Sequence, residues 1–164
     1  MNLKTKIVID RIIGLPLVYI LNLSARILGF FLRIDHSLDK PVKTIAICKF
    51  LGLGSIIQAT PLLKTLRKKY PDAHIIFITT PGNTNLLKHI PSVDSVFVIS
   101  DKGFFQLAIT SISLLFNLWK RRPGIYIDLE IYSNFSSIIA TLSLSKNRMG
   151  FYKNDKTYRG GIYT

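Results

Sequence analysis

The chain has 164 residues, which is enough for one substantial hydrophobic core and short for two full domains. Hydrophobic residues make up 48% of it and aromatic residues 11%, which excludes an intrinsically disordered chain. The 22 Lys and Arg residues against 9 Asp and Glu residues give a formal net charge of +13, so we expect an anionic partner. Nucleic acid, anionic lipid headgroups and phosphorylated substrates all satisfy that expectation.

The first element is an apolar segment with cations at its ends. Residues 12–25 carry no charge, Arg11 precedes them and Arg26 follows them, and the apolar pattern continues to Arg33. A bilayer span needs about 20 consecutive apolar residues, which is more than this run provides. We therefore predict that residues 1–34 form a membrane-associated helix lying in the interface, with its arginines reaching toward lipid phosphates. A helix packed on the domain or on a partner, and a true span or signal anchor, are the alternatives.

A polar stretch containing a proline, residues 35–42, is typical of a linker. After it, short apolar runs alternate with helical patterns. The runs TIAICKF, AHIIFIT, SVFVIS, GIYIDL and NRMGFY predict five strands, and a helix is predicted over residues 54–70 with Pro61 bending its axis. The alternation is typical of a doubly wound parallel α/β sheet, for which we predict the strand order 3-2-1-4-5. Cys48 lies in the first run, which predicts a buried and unreactive thiol.

The predicted strand order opens a crevice between the carboxyl ends of strands 1 and 4. Two loops, residues 49–55 and 128–134, therefore carry the candidate site. The first loop, KFLGLGS, runs into a helix, and its glycines would let the backbone approach a ligand. It is not a dinucleotide fingerprint, because Ile57 replaces the third glycine and Thr79 and Thr80 stand where an acidic residue is needed. A tight turn without a ligand is the alternative.

Several short motifs then follow one another at regular intervals. They are Gly54 in the first loop, TPLLK at residues 60–64, PDAHI at 71–75, PSVDSV at 91–96, and the passage from IYIDL to RMGF. In this order and spacing they resemble the N-terminal domain of glycosyltransferase family 9, the ADP-heptose:lipopolysaccharide heptosyltransferase-like enzymes. The resemblance covers residues 43–152.

The resemblance implies a Rossmann-like, acceptor-side half of a two-domain GT-B enzyme at residues 43–164. Such an enzyme inverts the anomeric centre, needs no metal, and transfers a heptose-like sugar from a nucleotide-sugar to lipopolysaccharide or a related cell-surface glycan. The donor is a substrate, so no cofactor is expected. Its site would lie mostly in a C-terminal domain absent from this sequence, and we expect no transfer by the fragment alone. The implied acceptor is lipid-linked, and the implied location is the cytoplasmic face of the inner membrane, with peripheral or monotopic attachment.

The family pattern also implies an Asp directly after the loop glycine, where it would deprotonate the acceptor hydroxyl. Ser55 stands at that position, and a hydroxyl is far too weak a base. Asp128 and Glu130, at the end of strand 4, are therefore the candidate catalytic carboxylates; capping of the next helix or pairing with an arginine is the alternative. Capping of its helix is likewise the alternative for Ser55. The predicted substrate-binding residues are Lys49, Gly52, Gly54, Ser55 and Gln58.

Other charged and polar residues are less specific. The cations Lys64, Arg67, Lys68 and Lys69 indicate a solvated helix face or a phosphate contact, and Lys120-Arg121-Arg122 after Trp119 suits a membrane interface or an ordinary helix end. The three histidines show no ligand spacing, so we predict no metal site. Aromatic residues are not interleaved with basic ones, so we predict no nucleic-acid partner. A non-catalytic, membrane-associated module that binds a glycan or a protein is the alternative function.

Overall fold

In a computed structural model of the chain, the described residues are 3–32, 36–38, 41–131, 133–151 and 162–164. Outside the described residues lie Arg33 of the predicted membrane-associated helix, part of the predicted linker, Tyr132 of the second loop and Tyr152 of the fifth predicted strand. The helices are α1 (Leu3–Ile9), α2 (Leu15–Leu32), α3 (Leu53–Gln58), α4 (Thr60–Lys69), α5 (Thr84–Leu87), α6 (Phe104–Arg121) and α7 (Asn134–Leu142). The strands are β1 (Thr44–Cys48), β2 (His74–Thr79), β3 (Ser95–Val98), β4 (Ile125–Asp128) and β5 (Asn147–Gly150).

The five strands form one parallel sheet in the order β3-β2-β1-β4-β5, which confirms the predicted doubly wound topology. The central strand β1 pairs with β2 and β4, so that Ala46 lies between Ile76 and Tyr126. All five residues of β1 are buried. A strand covered on both faces needs apolar side chains at every position, which is why its sequence reads as a continuous run.

The helix predicted over residues 54–70 is in fact two helices. Helix α3 ends at Gln58, Ala59 forms the junction, and Pro61 lies in the first turn of α4. Proline lacks the N–H group that continues a helical ladder, but the first turn of a new helix leaves its N–H groups unpaired in any case. The proline therefore lies in the first turn of a helix and does not bend the interior of one.

Each face of the sheet carries its own core. On one face, Ile45, Ile47 and Phe77 pack with Leu63 of α4. The opposite face packs against α6 and α7 through the fully buried set Ala46, Cys48, Ile78, Leu114, Leu118, Tyr126 and Ala140. Cys48 is buried, as predicted, and burial, followed by the charge of Asp128, raises the pKa of its thiol well above the ordinary value.

The N-terminal helices pack on α7. A π-helical turn, Asp10–Gly14, joins α1 to α2, and a side chain at Gly14 would come within 3.0 Å of Asn134 Cβ. Val18 is fully buried in a small cluster with Ile138. The contacts Gly14–Asn134 and Val18–Ile138 are separated by four residues in each segment, so α2 and α7 run side by side in the same direction.

Asp10 fastens this helical segment to the domain. Its carboxylate accepts hydrogen bonds from the backbone N–H groups of Asn134 and Phe135, at 2.9 and 2.7 Å, and its carbonyl accepts one from the Asn134 side chain at 3.1 Å. A carboxylate at a helix N-terminus satisfies free donors and complements the helix dipole. Of the three possibilities for the N-terminal segment, packing on the domain is therefore realised on one face.

The other face of the N-terminal segment is exposed and apolar. Residues Ile7–Leu28 are long and apolar enough to cross a bilayer, with a mean hydropathy of 1.7, and only 17% of the most apolar stretch is buried in the protein. A bilayer span and an interfacial helix both have this length and composition. Membrane association of this segment remains a prediction.

The last described residues lie beside β5. The backbone N–H of Thr164 donates to Arg148 O at 2.7 Å, and the Arg148 side chain donates to Ile162 O at 2.6 Å. A Cβ at Gly150 would lie 2.4 Å from the Tyr163 ring, so only glycine permits this close approach. The Tyr163 side chain thereby reaches the end of β4.

Candidate functional site

The two predicted loops meet at the carboxyl edge of the sheet. The Glu130 carboxylate accepts hydrogen bonds from the backbone N–H groups of Phe50 and Leu51, at 2.8 and 3.1 Å. Its second oxygen lies 3.3 Å from Lys49 Nζ, which also donates to Leu129 O at 3.2 Å. One carboxylate of the β4 loop therefore holds the entire start of the β1 loop. The two loops lie side by side, as predicted. Glu130 pairs with a lysine, and not with an arginine.

The first loop depends on one glycine more than on the other. Gly52 has φ +93°, a conformation that L side chains rarely adopt, and it directly precedes α3. A Cβ at Gly54 would meet no atom within 4 Å, so open space lies beside this residue. The suggested capping role of Ser55 is wrong: it lies inside the first turn of α3, and the helix start carries no side-chain cap. Gly54, Ser55 and Gln58 are all exposed at the edge.

Asp128 lies beneath this surface. Its side chain is fully buried, and one oxygen accepts hydrogen bonds from the hydroxyls of Ser136 and Tyr163, both at 2.7 Å. The other oxygen accepts the Glu130 backbone N–H at 2.9 Å. Asp128 does not cap α7, because Ser133 and Asp10 do so. The carboxylate joins the end of β4 to α7 and to the last described segment.

Three residues that sequence reasoning did not nominate hold the first loop from the other side. The hydroxyls of Thr79 and Thr80 donate to Lys49 O and Phe50 O at 2.6 and 2.7 Å, and the Asn83 side chain donates to Phe50 O at 2.8 Å. The threonines stand at the end of β2, where their position beside the nominated loop was the available signal. Hydrogen bonds therefore hold the loop on both of its flanks.

The rim of the site is apolar. Its exposed large side chains are Leu51, Leu53, Ile57 and Ile131, each about half exposed. Among the described residues, no group of three or more His, Cys, Asp or Glu side chains could hold a metal ion. The edge therefore has a polar floor, whose groups are hydrogen-bonded to one another, and an apolar margin.

The basic residues of α4 divide into two groups. Arg67 forms an ion pair with Asp94 and donates to the carbonyls of Pro71 and Ala73, so neither a solvated nor a phosphate-binding role applies to it. Lys64, Lys68 and Lys69 are exposed. Partial burial opposes ionisation of Asp94, but the Ile75 N–H and the Arg67 guanidinium outweigh it, and the pKa of Asp94 is lowered. The motif PSVDSV thus contains an aspartate that joins α4 to β2.

No family model matches the chain. Its sequence is 29% identical over 110 residues to lipopolysaccharide heptosyltransferase 1 of Campylobacter coli, which covers 67% of this chain and 31% of that protein. The chain thus spans about a third of the length of this curated relative.

Two solved structures resemble the fold. A glycosyl transferase family 9 protein from Veillonella parvula superposes with a TM-score of 0.61 at 18% identity, covering 78% of this chain and 41% of that one. The E. coli ADP-heptose lps heptosyltransferase II gives a TM-score of 0.56 at 21% identity, covering 74% and 33%.

The sheet and its carboxyl edge define a Rossmann-like α/β domain that matches glycosyltransferases of the GT-B type. More particularly, the resemblance to glycosyltransferase family 9 is confirmed: the chain is heptosyltransferase-like in sequence and in fold.

Proposed function

We propose that this chain is the acceptor-side, N-terminal half of a heptosyltransferase-like glycosyltransferase. The complete enzyme inverts the anomeric centre without a metal and transfers a heptose-like sugar from a nucleotide-sugar to lipopolysaccharide or a related glycan. The donor binds mostly to a C-terminal domain outside this sequence, so the chain alone is inactive. It works at the cytoplasmic face of the inner membrane, as a peripheral or monotopic protein, on a lipid-linked acceptor. The observation that carries the proposal is the similarity over 110 residues to a lipopolysaccharide heptosyltransferase.

The carboxyl edge suits the acceptor side of such a site. Gly54 faces open space, and Ser55 and Gln58 are exposed beside it, so a sugar hydroxyl can approach the backbone and two polar side chains. The loop that presents them is fixed by Glu130 below, which limits the cost of ordering it when the acceptor binds. The apolar rim formed by Leu51, Leu53, Ile57 and Ile131 is available to close against a second domain.

Of the two candidate carboxylates, Glu130 is the better placed to act as general base. Its side chain is 10% exposed at the floor of the site, whereas Asp128 is wholly buried. We assign to Asp128 a positioning role, because it fixes the backbone N–H of Glu130 and the hydroxyl of Ser136. Lys49, paired with Glu130, holds the base in place and supplies positive charge toward an anionic acceptor.

The test uses the protein extended in frame by the sequence encoded downstream. We expect transfer from a nucleotide-heptose to a truncated lipopolysaccharide acceptor, and none by the 164-residue chain alone. Glu130→Gln in the extended protein should lower kcat by roughly 10²–10⁴-fold with little change in KM, the usual loss for a general base. Lys49→Met, which keeps the carboxylate, should cost less. An extended protein that binds no nucleotide-sugar by calorimetry would refute the proposal.

A second candidate function is a non-catalytic module that binds a glycan at the same edge. The observation that favours it is that Ser55 stands at the position of the family's aspartate, while Glu130 already accepts hydrogen bonds from two backbone N–H groups and pairs with Lys49. In this case the extended protein would bind the acceptor without transferring sugar. Ser55→Asp distinguishes the two functions, because a lost base restored at its usual position would then create transfer where the unmodified protein has none.

A further inference from the structure

Helix α6 carries an apolar stripe on the face that points away from the sheet. Its inner side chains Leu114 and Leu118 are fully buried. The outer stripe repeats at alternating intervals of four and three residues, and its members are between 40% and 81% exposed: Phe105, Ile109, Ile112, Phe116 and Trp119. Residues 104–119 contain no charge. A helix that is apolar on both sides is normally covered on both.

Helix α2 exposes a second apolar surface on the same side of the sheet. Trp119 of α6 donates its indole N–H to Leu142 O of α7 at 2.7 Å, and Val18 of α2 contacts Ile138 of α7, so α7 lies between the two helices. The exposed members on α2 are Tyr19, Ile20, Leu23, Ile27, Leu28 and Phe31. The opposite side of the sheet, by contrast, presents the lysines of α4 to solvent.

A cavity of about 350 Å³ opens at the C-terminal end of α6, on the edge of the sheet opposite the candidate site. Five cations line it: Lys43, Lys120, Arg121, Arg122 and Lys146. The first four are exposed, whereas Lys146 donates to Ser37 O at 3.2 Å. None of the residues lining the cavity is acidic. The positive potential in the cavity therefore favours an anion.

We propose that the outer faces of α6 and α2 together form a docking surface for a lipid bilayer, and that the cation-lined cavity binds the phosphate of an anionic phospholipid headgroup at its border. We call the docking surface formed by the outer faces of α6 and α2 the α2–α6 face. The proposal extends the proposed membrane attachment from the N-terminal helix to the Rossmann-like domain itself.

The chemistry of the α2–α6 face favours lipid over another protein. Helices with a wide apolar face bordered by Lys and Arg lie in the interface of anionic membranes, and Trp concentrates at the headgroup level. Trp119 lies immediately before Lys120–Arg122, which is the arrangement expected where an apolar stripe ends at the headgroups. A second copy of the chain would bring another +13 charge against these cations, whereas anionic lipid neutralises them.

Docking in this way orients the candidate site. Helix α6 follows β3 and precedes β4, so it begins at the carboxyl edge and ends at the opposite edge of the sheet. Asp10, which contacts the start of α7, places the beginning of α2 at the carboxyl edge as well. The site therefore opens beside the bilayer plane, where a lipid-linked substrate can reach it without leaving the leaflet. This orientation rests on the proposed function; the docking itself does not.

The test is flotation of the full 164-residue chain with phosphatidylcholine vesicles, with and without phosphatidylglycerol. Phe105→Ser with Phe116→Ser should weaken partitioning about a hundredfold or more on both lipids, since each Phe removed from the apolar layer contributes roughly tenfold or more. Substituting Ser at Lys120, Arg121 and Arg122 should weaken binding about fivefold per cation on anionic vesicles alone.

The matched controls are Leu53→Ser with Ile57→Ser, and Ser at Lys64, Lys68 and Lys69, which should bind within about twofold of the unmodified chain if only the α2–α6 face touches lipid.

Trp119 gives a readout that needs no variant, because it is the single tryptophan. Its emission should shift to shorter wavelength with anionic vesicles and be quenched by brominated lipid acyl chains. An unchanged spectrum overturns the proposal, and so does equal weakening by the α4 and α6 charge variants.

A Phe105→Ser, Phe116→Ser chain that binds vesicles normally but turns from dimer to monomer shows that a second copy covers the face. Inorganic phosphate that binds the chain without displacing the vesicles, at constant ionic strength, assigns the cavity to free phosphate and overturns its role in lipid binding. These vesicle-binding outcomes do not depend on sugar transfer, so an extended protein that transfers no sugar would leave the docking proposal standing.

Discussion

The contact between Asp10 and the start of α7 leads to the prediction with the most structural detail. Replacing Asp10 by alanine removes the acceptor for two backbone N–H groups, those of Asn134 and Phe135. Hydrogen bonds to a charged group contribute about 1.5–3 kcal/mol, and loss of a helix cap typically costs about 1 kcal/mol. These contributions overlap, and Ser133 still caps Ser136 N–H, so we expect a net loss of about 2 kcal/mol in the free energy of unfolding.

The loss should also release the N-terminal helices, because Asp10 provides their polar contact at the carboxyl edge. Urea unfolding followed by Trp119 fluorescence gives the free energy, and the rate of trypsin cleavage at Arg11 and Arg26 reports the population of released helix. Asp72→Ala is the control, since Asp72 is an exposed carboxylate in the turn before β2 and should change stability by less than about 0.5 kcal/mol. If Asp10→Ala behaves like Asp72→Ala in both assays, the helix is not held to the domain by this carboxylate.

Three further predictions concern the folded domain and are measured by equilibrium unfolding. Gly52→Ala should lower the free energy of unfolding by about 2 kcal/mol, because Gly52 has a φ of +93°. Gly54→Ala should leave the free energy of unfolding unchanged or raise it by up to about 1 kcal/mol, because a side chain there meets no neighbouring atom. Equal effects of the two substitutions would contradict the backbone role assigned to Gly52. Asp94→Asn should cost about 1 kcal/mol at neutral pH, after allowance for solvent screening of a side chain 35% exposed. Because the pKa of Asp94 is lowered, its contribution is present above its ordinary value of 3.8 and is lost as the pH falls through the folded value, so the variant and the unmodified chain should converge in acid. Tyr163→Phe should cost about 1–3 kcal/mol by removing a donor from the buried Asp128 carboxylate, and an unchanged midpoint would show that this hydroxyl is dispensable.

The position of the candidate site could be predicted, but the contacts that build it could not. The continuous apolar runs and the glycine-containing loop placed the site at the ends of β1 and β4, and the structure brings Lys49 and Glu130 together there. Sequence reasoning missed Thr80 and Asn83, since threonine and asparagine after a strand are common in turns without any such contact. It also offered helix capping as an alternative role for Ser55, but α3 begins at Leu53, so Ser55 lies inside the first turn.

The sequence by itself determined the order of strands and helices, because burial on both faces demands an unbroken apolar run and each crossover helix leaves its own periodic stripe. Those signals extend over a few neighbouring residues and survive without any knowledge of the fold. Tertiary structure alone decided that Asp10 meets Asn134, that Arg67 pairs with Asp94, and that Tyr163 reaches Asp128. Each of these contacts joins residues far apart along the chain, and a charged or hydroxyl group finds its partner only after the sheet and helices have fixed their positions.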